Sequence, residues 1–161
     1  MNEDAIDRLV VQWEKECPNL DVSAMQVIGR ILRLGNKFEA EANRELKKYN
    51  LKYTDFDIIA TLRRSGKPYK LTPSQLCESV ILTSGAMTTA LDRLEKAGLV
   101  QRQQELTDKR VRSAALTPMG VNLAEKAAVE RSRLAGEELT SLSLDERNQL
   151  GQLLKKLISA N

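Results

Sequence analysis

Between Leu71 and Gly120 the apolar period switches from helix to strand and back to helix, and few folds accept that order. Leu71-Thr72-Pro73-Ser74-Gln75-Leu76 reads as a helix opening. Thr72 is its N-cap, Pro73 holds the first helical position and Gln75 closes a capping box. This first helix is expected over 71–80, and a second over 83–97 opens at Leu82-Thr83-Ser84-Gly85 with Thr83 as the capping hydroxyl. Met87, Leu91 and Leu94 form one apolar stripe on that second helix, and Gly98 supplies the left-handed residue that ends it. Leu99 to Arg102 and Val111 to Leu116 then read as two short strands around a polar tip, and Thr117-Pro118 opens the next helix. Two short helices, a tight turn and a basic hairpin make a winged helix-turn-helix, whose second helix is sized for the DNA major groove.

Charge follows the same division. The formal net charge is only +3, but residues 62–116 carry ten Lys and Arg against five carboxylates, whereas residues 1–22 carry six carboxylates against two cations. The cations gather on the segment suspected of meeting phosphates. With no histidine in the chain, no Ser/His/Asp or Cys/His arrangement and no Gly-rich phosphate loop, an enzyme is not expected. No cofactor or metal is expected either. No apolar run approaches the roughly 20 residues of a membrane span and the start, Met1-Asn2-Glu3-Asp4, is acidic, so a cytoplasmic protein is expected.

Helices account for the rest. Residues 2–16 form an amphipathic stretch with Ile6, Leu9, Val10 and Trp13 on one face, ended by Pro18. Ser23 to Tyr49 is the longest helical pattern, with Asn50 as a left-handed stop, and a helix of that length needs more cover than one small lobe supplies. Thr54 is read as the N-cap of the next helix, which Gly66 and Pro68 end. After Pro118 come an alanine-rich long helix and, capped by Ser143 and Glu146, a leucine-rich final one.

Leu91 to Val100 followed by Asp108-Lys109-Arg110-Val111-Arg112 and Leu116-Thr117-Pro118-Met119-Gly120 resembles the signature of the MarR family, bacterial winged-helix regulators named for multiple antibiotic resistance. The resemblance implies a mostly α fold with a small β-hairpin wing. It implies one MarR-type domain over 1–161, with an N-terminal helical arm at 1–22, dimerisation helices at 23–50 and 118–161, and a DNA-binding lobe at 54–117. It further implies a homodimer on double-stranded DNA, with two recognition helices about one turn apart on an inverted repeat.

The candidate DNA contacts are Thr83, Ser84, Gly85, Thr88, Thr89 and Arg93 on the second helix, with Asp108, Lys109, Arg110 and Arg112 on the wing. Hydroxyls suit phosphates and base edges, and threonine methyls suit thymine methyls. Family members often carry Arg or Lys at the positions of Ser84 and Thr89, so reading here rests on small hydroxyls. Arg93, with Asp92, equally suits pairing with a neighbouring element. At the wing, the resemblance assigns Arg110 to minor-groove insertion, oriented by Asp108, with Lys109 on a phosphate.

Val27 to Arg30, Ala60 to Gly66 and Thr83 to Thr88 resemble the PecS and HucR branch, as does the extra N-terminal helix with its tryptophan. That branch binds urate or related aromatic acids, and its pocket residues map onto Trp13, Asp57 and Arg102. The branch usually has an arginine where this chain has Ala90, which removes a charge partner for urate and leaves another aromatic carboxylate or a phenolic compound open. Two alternatives stand beside a small-molecule switch. One is cysteine oxidation at Cys17 or Cys77, disfavoured by Glu14 and Glu16 around Cys17 and by the core-like setting of Cys77. The other is a winged-helix protein-interaction module without a DNA target.

Overall fold

The structure is a computed structural model that describes residues 3–80, 84–104 and 112–160. The chain divides into two compact units, Met1–Tyr53 and Thr54–Asn161. In the first, Asp4 opens α1 (Ala5–Glu16) with a complete capping box, its carboxylate accepting from the Ile6 and Asp7 amides. The same carboxylate and that of Asp7 accept from Arg30 of α2 (Ser23–Leu46), at 2.9 and 2.6 Å. Ile6 lies over Gly29 of α2, where a Cβ would come within 3.0 Å of its Cδ1. After α2, a single 3-10 turn (Lys47–Tyr49) ends at Asn50 in the left-handed region, φ 56°, as the sequence implied.

The second unit holds α3 (Tyr53–Arg64), β1 (Lys70–Leu71), α4 (Pro73–Ser79), α5 (Ser84–Lys96), β2 (Val100–Gln104), β3 (Arg112–Leu116), α6 (Pro118–Glu138) and α7 (Leu144–Ser159). Two expectations fail: the helix expected over 71–80 is Pro73–Ser79, because Leu71 pairs with β3 as a strand residue, and α3 starts earlier than expected. It begins at Tyr53, not after Thr54, because the Asn43 side chain takes the Tyr53 amide proton at 2.8 Å. The caps at Thr72, Thr117 and Ser143 are as expected, and Gly98 ends α5 with φ 68°.

The wing is a three-stranded antiparallel sheet in the order β1-β3-β2, one strand more than the hairpin read from sequence. β2 and β3 run in register from Val100 against Leu116 to Gln104 against Arg112, and Lys70 and Leu71 add on the far side of β3 against Ala115 and Ala114. Beneath it lies the core: Ile58, Ile59 and Leu62 of α3, Leu76 of α4, Met87 and Leu94 of α5 and Val100 of β2 are all sealed from solvent. By contrast α7 has no buried residue, although Leu150, Leu153, Leu157 and Ile158 are large and apolar. No helix among the described residues is long and apolar enough to cross a membrane.

Candidate nucleic-acid interface and effector cavity

The apolar stripe of α5 decides which of its residues face outward. Met87, Ala90, Leu91 and Leu94 point into the core, and this leaves Gly85, Thr88 and Thr89 exposed on the opposite face. The Thr89 hydroxyl donates to the Gly85 carbonyl one turn back at 3.1 Å. Ser84 is the first residue of α5. Thr83, Asp108, Lys109 and Arg110 lie outside the described residues, and so do the capping role read for Thr83 and the wing-tip roles of the other three. Arg112 is exposed and sits opposite Gln104 at the base of the tip.

Arg93 turns away from that face. Its NH2 donates to Oδ1 of Asp55 at 2.6 Å, and Asp55 is only 4% exposed. Its neighbour Asp92 points to the wing instead, accepting from Arg102 of β2 at 2.5 Å, while Glu95 lies 3.7 Å from the same guanidinium. Sequence reading left the Arg93 partner open and did not find Asp55, whose 38-residue separation in the chain offers no local signal.

Arg102 also lines a cavity of about 180 Å³ between α5 and the wing. Thr88 and Leu91 of α5, Pro73 of α4 and Arg112, Ser113 and Ala114 of β3 complete its wall, so two arginines contribute to an otherwise mostly small and apolar lining. Asp57 is not part of this wall. It lies on α3 with Arg64 3.8 Å away, and burial raises its carboxyl above the ordinary aspartate range against the opposing pull of that arginine. Trp13 stands on α1 of the first unit, 39% exposed. Cys17 is exposed, Cys77 is half-buried and both are free. Among the described residues no cluster of His, Cys, Asp or Glu is arranged to hold a metal ion.

Comparison with known proteins agrees with this geometry. The family model for the MarR family matches residues 51–112. The transcriptional regulator PecS of Dickeya dadantii (strain 3937) is 34% identical over 152 residues, which is 94% of this chain and 92% of that protein. A variant of MarR from E. coli, solved with operator DNA, superposes with a TM-score of 0.74 at 26% identity, covering 86% of this chain and 99% of the other. The organohalide-sensing regulator RdhR in its 2,4-dichlorophenol-bound form shares the fold, with a TM-score of 0.77 at 21% identity over 89% of this chain and 83% of that one. These relatives are transcriptional regulators and not enzymes. The capped helix pair, the wing and the extended match to PecS place the chain in the MarR family of winged-helix, DNA-binding transcriptional regulators.

Proposed function

We propose that the protein acts in the cytoplasm as a homodimeric repressor that binds an inverted-repeat operator and is released by a small aromatic or anionic compound. The observation that carries this reading is the outward face of α5, where Gly85, Thr88 and Thr89 stand exposed above a buried apolar stripe. A protein-interaction module has no need of such a face beside a wing whose tip reads Asp108-Lys109-Arg110. What supports the dimer is α7, a leucine-rich helix without a buried residue, together with Ile28 and Leu32 of α2, which are 53% and 63% exposed.

The effector site is the cavity beside Arg102. Its volume is of the size that a single aromatic ring needs, and arginines such as Arg102 and Arg112 in its wall suit a carboxylate or phenolate on that ring. Such a ligand competes with Asp92 and Glu95 for Arg102, so its binding energy acts on the helix that reads DNA. Trp13 and Asp57 are retained as proposed ligand-binding residues on the strength of the family resemblance alone.

A gel-shift titration on DNA from the protein's own gene neighbourhood, at two salt concentrations, tests the reading. Wild type is expected to bind with a steep salt slope, and Arg110→Ala to bind more weakly with a slope lower by about one. Aromatic acids added to the preformed complex are expected to release it from wild type and not from Arg102→Ala. A stable dimer with no sequence preference would put the interaction module in its place.

A further inference from the structure

The carboxylate of Asp55 is enclosed and meets the guanidinium of Arg93 at 2.6 Å, and removing one member of such a buried pair costs far more than a surface pair would. The bond joins the first turn of α3 to the last turn of α5. On α5 the next residue back, Asp92, is held by Arg102 of β2. Successive residues on a helix diverge by about 100°, so the two ion pairs grip α5 from different directions, and with opposite polarity. The apolar stripe seats α5 on the core. Two directional, charge-assisted hydrogen bonds at diverging angles add an angular constraint on its rotation. Rotation matters because Thr88 and Thr89 stand about one turn before Arg93, and recognition requires their placement within about 0.5 Å and 10–20°. The guanidinium leans on α3: NH2 bonds Asp55 and Nε is buried without a hydrogen-bond partner among the described residues, while the side chain as a whole is 38% exposed.

We propose that Asp55 is a positioning residue for DNA recognition, acting through Arg93 to fix the rotation of α5 and hence the presentation of Thr88 and Thr89. The proposal rests on DNA binding, which the wild-type arm of the experiment checks by itself. A duplex selected by the wild-type protein from a random pool is compared with an unselected duplex of equal length, across a series of salt concentrations. Helicity and dimer content are measured for every variant. Asp55→Asn and Arg93→Gln are each expected to lower affinity for the selected duplex on the order of tenfold, and the double variant no further than either one. The salt slope and the affinity for the unselected duplex are expected to stay as in wild type. Wild-type affinity for the selected duplex in either folded variant would overturn the proposal, leaving the pair a stabilising contact only. It would equally be overturned if Arg93→Gln alone reduced the salt slope by about one, the mark of a phosphate contact. If Asp55→Asn fails to fold, Arg93→Lys decides, since it keeps the charge and loses the planar fork. Reduced selected-duplex affinity at unchanged slope supports the proposal, and unchanged affinity sinks it.

Discussion

A Cβ placed on Gly120 would lie 2.0 Å from the carbonyl oxygen of Leu99. The start of α6 therefore rests directly on the backbone entering the wing. Thr117 completes the joint, since its hydroxyl donates to the Gly98 carbonyl at 2.7 Å and accepts from the Gly120 amide at 3.0 Å. Gly120→Ala is expected to destabilise the fold by about 1–3 kcal/mol, because the clash is with backbone and not with a mobile side-chain end. Urea unfolding of the two proteins, with unchanged m-values, checks this.

Asp57 makes a prediction about pH. Its folded-state carboxyl lies above the ordinary aspartate range through burial, so the folded chain holds that proton more tightly than the unfolded one. The associated stability is fully present below the ordinary aspartate pKa and is lost as pH rises through the raised value. Ionised Asp57 is then a net burden at neutral pH, and Asp57→Asn is expected to melt higher than wild type at pH 7. The gain should fade as pH falls into the aspartate range. Thermal melts at a series of pH values give the answer, and a lower melting point at pH 7 would contradict it.

The exposed leucines of α7 predict the assembly state. Leu153 and Leu157 are 56% and 49% exposed, and a carboxylate at either site has no place in an apolar interface. Leu153→Glu with Leu157→Glu is expected to shift sedimentation from dimer to monomer. DNA affinity should fall with it, since each half-site is then bound alone.

Cysteine chemistry is expected to be dispensable. A Cys17→Ser, Cys77→Ser double variant should bind DNA like wild type and release it to the same aromatic acids. Gel shifts with and without peroxide test this. Loss of induction in a variant that still binds DNA would favour the redox switch.

Much of the architecture was legible because its determinants are local. Thr72 with Gln75, Ser143 with Glu146, and Gly98 each act within a few residues of themselves, and all behave as their patterns imply. The motif Leu116-Thr117-Pro118-Met119-Gly120 was readable as a signature, and the Leu99 carbonyl supplies the physical reason for its glycine. What escaped was non-local. Lys70 and Leu71 are too short a run to show an alternating pattern, and become a strand only because β3 offers them partners. Asn43 displaced the expected start of α3 from ten residues away. In the candidate site, the outward residues of α5 followed from helical spacing. The inward turn of Arg93 and the grip of Asp92 on Arg102 required the fold.

Because α5 is anchored by Asp92, Arg93 and its apolar stripe, the residues proposed to meet DNA carry little of the fold's stability. Gly85, Thr88 and Thr89 are exposed, and substitutions at such sites typically move stability by no more than about 0.5 kcal/mol. A lineage can thus rewrite its operator preference at the front of this helix, one side chain at a time, while every intermediate still folds. Regulators built this way diverge readily after gene duplication, each copy drifting toward a new target on an unchanged frame.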